Sequence, residues 1–321
     1  MQPREGRRDV RRTASAPASR PDRHGEGSSR GVRLKAFTTA PARAPRRERL
    51  PVFVLAGGRS RRFDGDKLSA MVDHEPVLAR VVARVRPLAS RVVVATDSEE
   101  RREQLSSLFD RSVDYRLDRV GRWGAGPGAT IASALAATRR GSALFVPGDI
   151  PWVETDALAR FVARARASSA DVAAPYWGSG ETEHLIQWHR SRQSLRPLPW
   201  GRPGGTPTRR ASELLRAAPR TLLVPITALT ERPESFAHVT YRSDVRRPGP
   251  RGTSGSTGRR ARTIAGVPKA AYREAQRHRS AGREADAARL FRQESGWYAA
   301  AGLRILARHA LDDASGPTGK R

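Results

Sequence analysis

From residue 50 onward, short apolar runs alternate with amphipathic ones, and that alternation predicts the fold class. VFVLA (52–56) is apolar and β-branched, as expected of a strand buried on both faces. In VLARVVARVRPL (77–88), Val77, Val81, Val82 and Val85 recur at helical spacing and Pro87 closes the run. RVVVAT (91–96) predicts a second strand, DSEERREQLSSLF (97–109) a polar helix and VDYRLD (113–118) a short third strand. GATIASALAAT (128–138) predicts a helix opening on glycine, and SALFVPGD (142–149) another buried strand. TDALARFVARARAS (155–168) predicts a helix with Thr155 or Asp156 as its N-cap. Further strands are expected over 171–177, 184–189, 221–226 and 236–241, with a helix over 208–218. Such a succession predicts an α/β protein: an open, mostly parallel sheet with helices on both faces.

The pattern stops at both ends of a 50–245 domain. Residues 1–49 hold too little apolar content for a core and predict a disordered basic arm. They contain no apolar h-region, which argues against a secretory or twin-arginine signal. RRPGPRGTSGSTGRRAR (246–262) predicts a solvated linker, taken to run over 246–264. The 265–321 region is alanine-rich and helical in pattern. Ala275, Gly282, Ala287 and Phe291 have the spacing of a tetratricopeptide helix pair, although a plain two- or three-helix appendage fits the same residues. One helix pair cannot bury its own face, so docking on the main domain or on a protein partner is expected.

Charge narrows the choice of ligand. Lys and Arg number 60 against 32 Asp and Glu, a net +28 that suits nucleic acid, anionic membranes or phosphorylated small molecules. Much of the surplus lies outside the predicted domain: 14 basic and 5 acidic residues in 1–49, and six arginines with no acid in 246–262. The chain has no cysteine, which removes thiol chemistry and makes the reducing cytoplasm the expected compartment. No apolar run approaches the ~20 residues of a membrane-spanning helix.

The most informative stretch is VFVLAGGRSRRFDGDK (52–67), a buried strand that runs into a glycine-rich, cationic loop. Two glycines after a strand let backbone N–H groups converge as an anion nest, and Arg59, Arg61, Arg62 and Lys67 add charge around it. A phosphate chain suits such a loop. It is neither a P-loop nor a GxGxxG fingerprint. A tight turn alone would also use two glycines.

The whole string resembles the LAGGxSxRMGxDK signature of nucleotidyltransferases of the molybdenum-cofactor guanylyltransferase type. Gly57, Gly58, Ser60, Arg62, Asp66 and Lys67 match it, while Phe63 and Asp64 stand where methionine and glycine are usual. EPVLARVV (75–82), DRVGRWGAGPGATIASAL (118–135) and FVPGDIPWV (145–153) resemble the family's later segments. The resemblance covers roughly 50–245. It implies nucleotide contacts from Leu55, Ala56, Gly57, Gly58, Lys67, Thr96, Asp118 and Asp149, with Mg²⁺ on Asp149 and GTP as the nucleotide. Arg62, Lys67 and Asp149 would be the catalytic residues, and molybdopterin the phosphorylated acceptor. Asp149 also closes a strand at its carboxyl end, where open α/β sheets bind ligands.

Three departures stand out. The SAN of the family's second strand reads ATD here, taken as Thr96 in place of an asparagine. The late NxNTPEDL segment reads HVTYRSDV, with His238 in place of an asparagine and Asp244 retained. Asp66 is expected to orient Lys67 rather than bind metal. LAGG rather than LAAG favours guanylyl over cytidylyl transfer; cobinamide phosphate and sugar phosphates are the alternative acceptors. A non-catalytic nucleic-acid-binding protein on the same scaffold is the rival class. The basic arms lack interleaved aromatics, so nucleic acid is expected to bind only non-specifically.

Overall fold

The computed structural model describes residues 49–58, 60, 62–109, 113–117, 126–138, 141–195, 210–246 and 261–316. Asp118, Arg59, Arg61, the 1–48 arm and most of the expected linker lie outside the described residues. In chain order the strands are β1 (Leu50–Leu55), β2 (Met71–Val72), β3 (Glu75–Pro76), β4 (Ala89–Thr96), β5 (Asp114–Leu117), β6 (Ala143–Pro147), β7 (Val172–Tyr176), β8 (Gln187–His189), β9 (Thr221–Pro225) and β10 (Arg262–Ile264). The helices are α1 (Val77–Val85), α2 (Glu99–Ser106), α3 (Pro127–Ala136), α4 (Thr155–Ala167), α5 (Ala211–Ala217), α6 (Val267–Ser280), α7 (Glu284–Ala300) and α8 (Arg304–Ala314).

Eight strands form one sheet in the order β10-β9-β7-β8-β6-β1-β4-β5. The β6-β1-β4-β5 pairs are parallel, as is β7-β9, while β8 and β10 run antiparallel to their neighbours. Successive residues of the central strands feed opposite faces. Val52, Val54, Leu144 and Val146 pack with α1 and α4, whereas Phe53 and Phe145 turn to the face covered by α3 and α5. The two phenylalanine rings stack there at 5.0 Å. The expected mostly parallel sheet with helices on both faces is therefore the observed one.

Several boundaries differ from the sequence reading, each for a local reason. Glu154, not Thr155 or Asp156, is the N-cap of α4, and the Thr155 hydroxyl donates instead to the Arg84 carbonyl at 2.8 Å. Residues 236–241 do not form a strand: the Val239 N–H donates to the Asp149 carbonyl, and short 3-10 turns at 233–236 and 242–245 flank it. Residues 262–264, placed at the end of the linker, pair with β9 as an edge strand. The 265–321 region contributes three helices rather than a hairpin.

Those three helices pack on the α3/α5 face of the sheet and on each other. Ala275, Ala287 and Phe291 are buried between α6 and α7, and Gly282 turns the chain between them at φ +73°. The docking is held by a buried charge cluster. Arg216 of α5 is fully buried, with both ends of its guanidinium on Glu294 of α7 at 2.9 and 2.6 Å and a third bond to Asp313 of α8 at 2.6 Å. Its guanidinium lies over the Tyr272 ring at 4.8 Å. Lys269 is buried beside it, donating to the Leu215 carbonyl and, at 2.8 Å, to the Thr221 hydroxyl.

Removing one partner of such a cluster strands the others in a low-dielectric interior. Arg216→Ala is expected to cost about 3–5 kcal/mol in urea unfolding, whereas replacing Arg216 and Glu294 together by apolar residues of similar volume should cost much less. Lys269 adds a pH dependence. Burial pushes its ammonium down to about 7, against the partial opposition of Glu294. Between that value and the unfolded value of about 10.4, the unfolded chain binds the extra proton, so stability rises with pH. Wild type should gain stability relative to Lys269→Met from pH 7 to 9, with an upper slope of about 1.4 kcal/mol per pH unit.

Candidate active site

The glycine loop leaves the carboxyl end of β1 at the centre of the sheet. Leu55 and Ala56 are still engaged there: the Leu55 carbonyl accepts from Gly148 N–H, and Ala56 N–H donates to Ala95 O. Gly57 and Gly58 are the first exposed residues. Gly58 has φ +116°, a conformation L side chains rarely adopt. Asp64, where glycine was expected, sits at φ +55°, which aspartate tolerates better than most residues. Phe63 is buried in the core and anchors the middle of the loop, and Arg62 beside it is exposed.

Asp66 does not touch the Lys67 ammonium. It caps the following turn through Leu68 N–H and the Ser69 hydroxyl and holds Arg101 of α2 at 2.5 Å. These partners outweigh its burial and keep its carboxyl below the usual value. An open cleft of about 330 Å³ lies between this loop and the start of α2, lined by Gly58, Asp66, Asp97, Ser98, Arg101 and Gln104 among others. Thr96 is fully buried and is not among the residues that line it. The next residue, Asp97, is the one that lines the cleft, its carboxylate accepting from Gly58 N–H at 3.2 Å. The substitution ATD for SAN thus matters at Asp97, which the sequence reading passed over.

Lys67 points the other way, to Asp149, at 2.5 Å. Asp149 follows β6 and Gly148. A Cβ added at Gly148 would stand 2.9 Å from a Leu78 methyl and 3.1 Å from the Leu55 carbonyl, so a side chain there would require Leu78 or the strand end to shift. The second Asp149 oxygen meets His238 Nδ1 at 2.9 Å. His238 Nε2 meets Glu183 at 2.9 Å, and the other Glu183 oxygen accepts from Trp177 Nε1 at 2.5 Å. Ionised carboxylates only accept, so both His238 nitrogens carry protons and the ring is an imidazolium. Burial opposes that charge, but Asp149 and Glu183 outweigh it and raise His238 to about 10. Burial likewise pushes Asp149 up, and His238 and Lys67 outweigh it and hold the carboxyl well below the ordinary range.

Asp244 is a local cap, accepting from Thr240 and Tyr241 N–H at 2.8 Å each. Arg242 beside it donates to the Asp64 carbonyl at 2.7 Å, which ties this segment to the glycine loop. No sequence signal marks Glu183, since its role depends on a partner 55 residues away.

A Mg²⁺ arriving with a nucleotide would have Asp149 as its protein ligand here. Each oxygen of Asp149 makes one hydrogen bond and keeps a second lone pair. Among the described residues no group of three or more His, Asp or Glu could hold a metal unaided. Mg²⁺ commonly takes one or two carboxylates and completes its shell with phosphate oxygens and waters.

A cationic strand-end loop beside a carboxylate, on a sheet of this topology, defines a nucleotidyltransferase-like α/β protein. Residues 52–221 match the family model of the MobA-like NTP transferase domain. The chain belongs to that family. It is 32% identical over 117 residues to a probable molybdenum cofactor guanylyltransferase of Haloferax mediterranei, covering 36% of this chain and 55% of that protein. It is 29% identical over 150 residues to a probable molybdenum cofactor guanylyltransferase of Methanothermobacter thermautotrophicus, covering 46% of this chain and 75% of that one. The match thus spans little more than half the length of the Haloferax relative. The crystal structure of molybdopterin-guanine dinucleotide biosynthesis protein A from Archaeoglobus fulgidus shares the fold, with a TM-score of 0.50 at 22% identity over 61% of this chain and 95% of that one.

The tight β1–β6 approach yields a direct test. Gly148→Ala should force Leu78 or the strand end aside and cost about 1–3 kcal/mol, read as a lower denaturation midpoint. Gly141→Ala, at an exposed loop position, isolates this effect: its added Cβ meets nothing within 4 Å, so its cost should reflect only its positive φ.

Proposed function

We propose that this protein transfers GMP from GTP to a phosphate of molybdopterin and releases pyrophosphate. An acceptor phosphate oxygen attacks the α-phosphorus, the bond to the bridging oxygen breaks, and the electron pair leaves with pyrophosphate. Such in-line displacement depends on positioning and charge neutralisation, with no nucleophilic side chain from the protein. The observation that carries the reading is the Lys67–Asp149 pair, which joins the glycine loop to the end of the neighbouring strand.

The two sides of the site suit the two halves of a nucleotide. Asp66, Asp97 and Glu100 make the cleft side acidic, favourable to base N–H and ribose hydroxyl donors and unfavourable to phosphate. On the other side Lys67 and His238 are the cations, set against Asp149 and Glu183. Lys67 binds the phosphate chain and stabilises charge that builds on the leaving group, with Arg62 at the exposed rim. The backbone of Gly57 lets the chain approach closely, whereas the Gly58 N–H is held by Asp97. Asp149 would hold Mg²⁺, which as a Lewis acid lowers the charge on the phosphate oxygens. The family resemblance implies a nucleotide contact from Asp118, which lies outside the described residues. The transferase unit is read as residues 50–245. The relatives' names support molybdopterin as acceptor over cobinamide phosphate or a sugar phosphate.

Pyrophosphate release with Mg²⁺ and molybdopterin tests this, with GTP, CTP and ATP compared in parallel. GTP should be preferred, and Lys67→Ala and Asp149→Asn should each slow release about a hundredfold or more while remaining folded. Equal rates for the three nucleotides would remove guanylyl selectivity. No release from wild type with any of the three acceptor classes would favour a non-catalytic scaffold.

A further inference from the structure

The C-terminal helices meet the turn that carries Glu183. Residues 177–183 fold back on themselves: Trp177 N–H donates to Glu181 O at 2.7 Å, Gly180 N–H to Trp177 O at 2.9 Å and Glu183 N–H to Pro175 O at 2.9 Å. A bridge between Tyr176 and Thr182 closes the base. These short-range bonds make the turn a stiff unit, so a displacement at its tip moves Glu183 at its foot.

The tip rests on the corner between α7 and α8. Gly180 has φ +84°, and a Cβ there would lie 1.8 Å from the Gly302 carbonyl oxygen, a backbone-to-backbone approach that admits only glycine. A second contact lies just beyond the turn, where the His184 ring meets His309 of α8 edge-on at 5.6 Å. His309 is held in turn by the Ser212 hydroxyl at 2.6 Å. The Arg216 cluster fixes α7 and α8 to α5, so the corner is a rigid seat.

From the turn inward the contacts are continuous. Glu183 meets His238, and His238 meets the Asp149 oxygen opposite the one on Lys67. Glu183 is 6% exposed and lines no part of the cleft beside α2.

We propose that Glu183 is a positioning residue for Asp149, and that α7 and α8 form part of the active-site frame by seating the turn that carries it. The kinetic part rests on the transfer reaction proposed above; the structural part does not. The C-terminal helices are then not a freely separable binding module.

Full-length Gly180→Ala, Glu183→Gln and Val85→Ala test it, the last opening a cavity under α1 on the other face of the sheet. Amide hydrogen exchange is followed in peptides covering 177–186 and 236–240, alongside steady-state kinetics. Gly180→Ala and Glu183→Gln should each raise exchange in 236–240 at least threefold. They should also lower kcat at least tenfold with KM for GTP within twofold of wild type. Val85→Ala should change neither, though it lowers the melting temperature. A folded Gly180→Ala with wild-type exchange in 236–240 would overturn the proposal, as would a Val85→Ala variant showing the same kcat loss. If wild type fails the transfer assay, the exchange result still decides the structural claim. Should Gly180→Ala not fold, Glu183→Gln carries the same test.

Discussion

A carboxylate placed at the end of a central strand, almost out of water, would cost several kcal/mol if left alone. Asp149 is that group, and much of the surrounding structure exists to compensate it. Lys67 reaches it from the loop after β1, and His238 reaches it from a segment that the Asp149 carbonyl itself holds through Val239 N–H. Glu183 makes the imidazolium tenable by taking its second proton donor. Two anions and two cations thus balance with little exposure to solvent. The irregular 236–241 segment brings both Val239 N–H and the His238 ring to Asp149.

The same electrostatic logic recurs at a second place, where it serves docking. Three helices beyond the family match would leave apolar faces uncovered if they stood apart from the sheet. They bury Ala275, Phe291, Tyr298 and Leu306 against it, with Arg216 at the centre of two carboxylates and an aromatic ring. Arg suits this role because its planar guanidinium pairs bidentately with Glu294 while its face stacks on Tyr272. The two buried clusters are joined by the turn at Gly180, so the geometry of the reacting centre and the docking of the helices are parts of one packed body.

The substitutions that set this chain apart from the family signature have physical readings of their own. Asp64 accepts the left-handed conformation of the glycine it replaces, and Phe63 fills core space where methionine is usual. Asp97 supplies a carboxylate beside the glycine loop. His238 converts a neutral position into a fixed cation beside Asp149.

The sequence by itself determined the alternation of the central strands and helices, the strand-end loop at 55–67 and the place of Asp149 after a buried strand. Each is written in a local pattern: the apolar period, the glycine pair, the charge that follows a buried run. It left open which residues surround Asp149, because Lys67, Glu183 and His238 come from separate elements and no periodicity links them. Thr96 ends β4 buried in the sheet, while Asp97, the first residue beyond the strand and the one that aligns with the asparagine of SAN, lines the cleft. The alanine spacing of the C-terminal region fits a helix pair or a two- or three-helix appendage alike, and α8 and β10 are placed by a sheet edge and the Arg216 cluster. Tertiary structure settled these points because buried charges choose their partners by proximity in space, and that proximity is a property of the assembled sheet.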